Sequence, residues 1–83
     1  MNKPNKDEIS NTITEHVEKA LKRTLGDDEK HKSVLDLGLN SLSALTLASQ
    51  LEDIFEIEID PVDMLDYESI VELSDYVHSL LRR

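Results

Sequence analysis

The chain has no cysteine and no tryptophan, and only two glycines and two prolines among its 83 residues. Without cysteine there is no disulfide, no thiolate zinc site and no cysteine nucleophile. Long apolar runs are missing as well, so no segment reads as a membrane-spanning helix. No basic stretch followed by an apolar one opens the chain, so a secretory leader is not expected and the cytoplasm is the expected compartment. A further absence is local. Residues 33–81 contain no Lys or Arg against eleven acids, whereas residues 1–32 balance seven acids with seven bases. Arg82 and Arg83 bring the net charge to −9. An acidic surface of this kind repels phosphate backbones and anionic lipid, so neither nucleic acid nor membrane is an expected partner. It suits basic patches on other proteins, and it also serves solubility.

What is present is short and helical. The length argues for one small domain with a modest core, burying roughly two-thirds of the surface its unfolded chain exposes. Ile9, Ile13, Val17, Ala20 and Leu21 recur at three- and four-residue spacing, which predicts an amphipathic helix over about 5–25. Asn5 with Glu8 three residues on resembles a capping box, and Gly26 is placed to supply the left-handed stop. Residues 26–40 sustain no period and read as a long loop anchored by Val34, Leu35, Leu37 and Leu39. Loops of that length are often functional. Asn40 then caps a second helix that runs unbroken through Phe55.

On this second helix Ala44, Leu47, Ala48, Leu51, Ile54 and Phe55 share one face, and Leu42 and Leu45 fall off it. Ile57 and Ile59 read as loop anchors. Pro61 suits the first turn of a short third helix, about 61–67. A last helix over about 68–81 turns Ile70, Leu73, Val77 and Leu80 or Leu81 inward. The expected fold is all-α: a small antiparallel bundle of three long helices and a short third one, one domain across 1–83 with about 5–81 structured.

Most chemistries find no support. His16, His31 and His78 lack the spacing of a helical zinc site. Glu56, Glu58 and Asp60 alternate like part of a calcium loop, yet Pro61 stands where that loop needs glycine. They read as solvated surface, and no metal site is expected. Ser41 lacks the nucleophile elbow of a hydrolase, and no glycine-rich phosphate loop is present. The chain does not read as an enzyme. One constellation remains: Asp36-Leu37-Gly38-Leu39-Asn40-Ser41-Leu42 puts a serine on the first turn of a helix, right after a long loop. Unpaired N–H groups and the helix dipole would stabilise an anionic phosphodiester on Ser41. The same spacing also allows Ser41 to be a second capping residue beside Asn40.

The segment D-L-G-L-N-S-L resembles the signature of the acyl carrier proteins and related thiolation domains. L-E-D-I-F-E-I-E-I-D-P resembles the end of that family's second helix and the loop after it, and S-I-V-E-L-S-D-Y-V resembles its fourth helix. The resemblance covers about residues 5–81. It implies a four-helix bundle with 4′-phosphopantetheine, derived from coenzyme A, attached covalently to Ser41. Asn40 would cap the helix beside it, and Gly38 would let the loop pass close. Acyl intermediates would ride as thioesters on the arm, for fatty-acid, polyketide or specialised lipid biosynthesis. The prosthetic thiol also accounts for the missing cysteine. A phosphopantetheinyl transferase and acyl-loading and acyl-processing enzymes with basic or mixed apolar and basic patches are the implied partners, with the chain itself a monomer.

Leu42 and Leu45 would meet those partners, inside an acidic rim of Glu52, Asp53, Asp63 and Asp66. Two positions depart from the family's pattern. Asn40 stands where Asp is usual, keeping the cap but losing a charge that bears on which transferase loads the protein. Ser43, Thr46 and Ser49 stand where fatty-acid carriers typically show acids, which leans toward polyketide-type or specialised carriers. The alternatives are an aminoacyl or peptidyl carrier, and a carrier-like bundle that is never modified and only binds other proteins.

Overall fold

The computed structural model describes residues 4–82; Lys3 and Arg83, counted above among the bases, lie outside the described residues. Four helices form in chain order: α1 (Lys6–Leu21), α2 (Ser41–Phe55), α3 (Pro61–Asp66) and α4 (Ile70–Leu81). The loop between α1 and α2 contains one short 3₁₀ turn, Asp27–His31. Among the described residues there is no strand. The architecture is the expected all-helical bundle.

Every helix starts on a side chain suited to the task. Asn5, Asn40 and Ser69 accept from the N–H three residues on, and Asp60 accepts from Val62 N–H two residues on. Each such bond satisfies one of the orphan donors of a helix start and contributes about 1 kcal/mol. Pro61 occupies the first turn of α3, where its missing N–H costs nothing. The apolar stripes then meet. Ile9, Ile13 and Val17 of α1, Ala44, Leu47, Ala48 and Leu51 of α2, Met64 of α3, and Ile70, Leu73 and Val77 of α4 form one buried cluster. The ion pair of Lys6 with Asp75 joins the start of α1 to the middle of α4.

The ends of α1 and α2 use one device twice. Lys22 (φ 60°) and Glu56 (φ 55°) take the left-handed conformation directly after each helix. Four residues earlier, Glu18 and Glu52 each reach forward. Glu18 Oε2 accepts from Leu25 N–H and Glu52 Oε2 from Ile59 N–H, both at 2.8 Å. Leu25 and Ile59 are buried, so each carboxylate fixes an apolar anchor by satisfying its backbone donor. A left-handed non-glycine residue costs roughly 1–2 kcal/mol, which the buried anchor and the charge-assisted bond offset.

Several expectations need correction. The stop of α1 comes at Lys22 rather than Gly26, because Glu18 secures the turn without glycine. Gly26, at φ −80°, instead precedes the 3₁₀ turn. There its N–H and both η nitrogens of Arg23 donate to the Glu29 carboxylate. The Arg23 bond and then the Gly26 bond lower the Glu29 pKa to about 2. That stabilisation is present above pH 4.5, the group's ordinary value, and is lost as pH falls through about 2. The site is exposed, so solvent screens it.

Ala20, expected inward, is exposed in the final turn of α1. Ile54, also expected inward, is 46% exposed. It lies four residues after exposed Gln50, at the edge of the α2 stripe rather than its centre. The last helix starts two residues later than expected, since Ser69 serves as its cap.

One buried polar group has no partner among the described residues: the hydroxyl of Thr14 in α1. Ser74, also buried, donates to Ile70 O at 2.8 Å. An unpaired buried hydroxyl is costly, whereas a methyl in its place is not. Thr14→Val should therefore raise stability by about 1 kcal/mol, read as a higher urea midpoint. A lower midpoint would show that the hydroxyl is satisfied in solution.

Candidate functional site

The loop that leads into α2 is short-wired from residue 33 onward. Ser33 Oγ accepts from Asp36 N–H, and the carbonyls of Ser33, Val34 and Leu35 accept from the N–H groups of Leu37, Leu39 and Gly38 at 3.0–3.1 Å. Val34, Leu37 and Leu39 are buried, while Leu35 and Asp36 face solvent. The apolar anchors thus pull the loop against the bundle and leave its polar positions outside. Between two of these anchors the chain must reverse, and Gly38 does so at φ +115°, a conformation L side chains rarely adopt. A Cβ there would meet Leu21 at 3.5 Å, so the loop also runs close to the end of α1.

Asn40 follows in extended conformation and caps α2 twice over. Its Oδ1 accepts from Ser43 N–H at 2.8 Å and its carbonyl from Ala44 N–H at 2.9 Å. Ser41 is the first helical residue and is exposed. The N–H groups of Ser41 and Leu42, and the Ser41 hydroxyl, have no protein partner among the described residues. No acid stands in the first turn. The arrangement is an accessible hydroxyl at the positive end of a fifteen-residue helix, with free donors beside it.

The other expected residues divide into two groups. Leu42 is 73% exposed and Leu45 41%, on the face of α2 that also carries Ser49. Asp53 and Asp66 are exposed. Glu52 is not available in the same way, since its carboxylate holds Ile59 as described. Asp63 is half-buried beside Tyr76, whose pKa is raised first by burial and then by Asp63. Tyr76 in turn stacks on Tyr67, ring centroids 5.0 Å apart. Sequence reading missed Val62 of α3, 62% exposed on the helix packed against α2. Its signal was its place directly after Pro61, two residues before inward-facing Met64.

A family model described as the phosphopantetheine attachment site matches residues 11–77. A non-reducing polyketide synthase from Didymella fabae is 33% identical over 57 residues, 69% of this chain; the chain spans 2% of that protein's length. The crystal structure of a free-standing peptidyl carrier protein, from an uncharacterized secondary metabolic pathway of Acinetobacter baumannii, superposes with a TM-score of 0.80. It is 27% identical and the match covers 90% of this chain and 94% of that one. The chain belongs to the phosphopantetheine-attachment family: it is a carrier protein with a covalently attached 4′-phosphopantetheine. The residues present fit that group. A phosphodiester needs an accessible hydroxyl and is favoured by unpaired donors, and the start of α2 offers both. When bound, the arm supplies the thiol that this cysteine-free chain lacks.

Gly38→Ala tests how far the site depends on the loop. The added Cβ finds ordinary contact distance, so the cost comes from the backbone, on the order of 1–3 kcal/mol. The expected result is a lower thermal midpoint together with slower loading of the arm by a transferase. Unchanged values for both would mean that the loop tolerates another path into α2.

Proposed function

We propose that Ser41 is the attachment point and that this chain is an acyl carrier acting in the cytoplasm. The observation that carries the reading is the exposed, unpartnered Ser41 hydroxyl at the capped start of α2. In this reading the chain catalyses nothing itself. It presents cargo, held as a thioester on the arm, to successive enzymes. Leu42 and Leu45 of α2, joined by Val62 of α3, form the apolar contact for those enzymes. Asp53 and Asp66 supply acidic surroundings that attract a basic partner surface. Polyketide-type chemistry is favoured over fatty-acid chemistry by the likeness to the Didymella fabae protein and by Ser43, Thr46 and Ser49 on α2. The likeness to a peptidyl carrier supports the second reading, an aminoacyl or peptidyl cargo on the same serine.

Incubation with coenzyme A and a broad-specificity phosphopantetheinyl transferase, followed by intact mass, tests the attachment. One phosphopantetheine should be gained by the wild type and none by Ser41→Ala, whose melting curve should match the unmodified protein. Modification at Ser43, or none at all, would contradict the assignment.

The docking face has its own check. Leu45→Ala should slow transferase turnover and leave the urea midpoint close to wild type. Leu47→Ala, which truncates a buried side chain of the same helix, should cost about 2–5 kcal/mol. Equal destabilisation by the two would mean that Leu45 belongs to the core.

A further inference from the structure

The Asn40–Ser41 peptide combines features that no other asparagine among the described residues shares. Both residues are exposed. The Ser41 N–H has no protein partner among the described residues, and the side chain next to it is small. Asn40 Oδ1 accepts from Ser43 N–H at 2.8 Å. Asparagine is among the chemically labile residue types, because its side-chain amide can close onto the next backbone nitrogen and expel ammonia. Two groups here ease that closure. The Ser43 N–H is aimed at the oxygen on which negative charge develops during the attack, as a donor in an oxyanion hole is. The positive end of α2 favours loss of the Ser41 amide proton, and no acid in the first turn opposes it.

Asn5 provides the comparison within the same molecule. It caps α1 with nearly the same backbone, φ −84° and ψ 174° against φ −89° and ψ 176° at Asn40. Its Oδ1 likewise accepts from the N–H three residues on, that of Glu8, at 2.9 Å. Two differences bear on the chemistry. The next residue is Lys6, whose longer side chain shields the nitrogen, and Asp7 and Glu8 stand in the first turn. Negative charge there disfavours loss of the amide proton. Asn11 lies inside α1, where the following backbone nitrogen is committed to the helix ladder. A cap alone therefore does not make the reactive peptide. The small neighbour and the acid-free first turn do.

We propose that Asn40 is a deamidation site that ages the unloaded protein, and that attachment at Ser41 protects it; the protection rests on the reading of Ser41 as the attachment point. Hydroxide takes the Ser41 amide proton, and the nitrogen bonds to Asn40 Cγ. The Cγ–Nδ2 bond breaks, ammonia leaves, and a succinimide remains. Water then opens the ring at one of its two carbonyls. Opening at Cγ gives aspartate, which still caps the helix and adds a negative charge. Opening at the backbone carbonyl gives isoaspartate, which routes the chain through the side chain. The extra methylene displaces Ser41 from the start of α2, so this form no longer accepts the arm. A phosphodiester on Ser41 sets an anion beside the same nitrogen and holds its proton in place, so the loaded protein reacts more slowly.

The test incubates the full chain, unloaded and loaded, at mildly alkaline pH and follows each asparagine by peptide mapping. Isoaspartate is counted with an isoaspartyl methyltransferase. In the unloaded protein Asn40 should convert several-fold faster than Asn5, and faster still as pH rises. Ser41→Val, which crowds the nitrogen and should leave the melting curve unchanged, should slow conversion at Asn40 several-fold. Equal rates at Asn40 and Asn5, or no slowing in Ser41→Val, would overturn the site. The loaded protein should convert several-fold more slowly than the unloaded one, and the isoaspartyl fraction of aged protein should resist loading. Loading at Ser41 with no change in the Asn40 rate would overturn the protection. Failure of fresh protein to load at Ser41 would overturn the attachment reading and the protection together, while the comparison of Asn40 with Asn5 still decides the deamidation site.

Discussion

The pairing of Asn40 with the first turn of α2 is the interaction on which the site depends. Asn40 closes the helix start with two hydrogen bonds and leaves the next two N–H groups free. Ser41 is thereby held at a fixed place while its hydroxyl stays in solvent. None of this requires the arm. The anchors Val34, Leu37 and Leu39 bring the loop onto the bundle, Gly38 turns it, and Asn40 hands it to the helix. The fold alone thus builds the geometry of the proposed attachment point.

The rest of the bundle is arranged so that a small, acidic chain can hold that junction still. Eleven acids without a base between residues 33 and 81 repel one another on compaction. Two of them are turned to structural use. Glu52 fixes Ile59 after α2, and Asp63 of α3 sits beside Tyr76 of α4 and raises its pKa. Lys6 of α1 offsets a third, Asp75. Other carboxylates, such as Asp53 and Asp66, remain exposed.

Much of this was legible in the sequence because the physics is local. Caps at Asn5 and Asn40, proline at the start of α3, and the off-stripe positions of Leu42 and Leu45 follow from periodicity and residue type alone. The structure places them as read. The misses share a cause. Gly26 was the natural stop for α1, but the left-handed turn went to Lys22 because Glu18 secures Leu25 seven residues on. Glu52 was assigned to the surface for the same reason, since its partner Ile59 also lies seven residues ahead. Ile54 satisfied the period yet sits at the stripe's edge beside Gln50.

Amide hydrogen exchange on the unmodified protein tests the central claim most directly. If the junction is built into the fold, the N–H groups of Leu37, Gly38, Leu39 and Ser43 exchange slowly, whereas those of Ser41 and Leu42 exchange fast. Residues 37–39 exchanging as quickly as Ser41 would show that the loop is ordered only after the arm is attached, and would contradict the account.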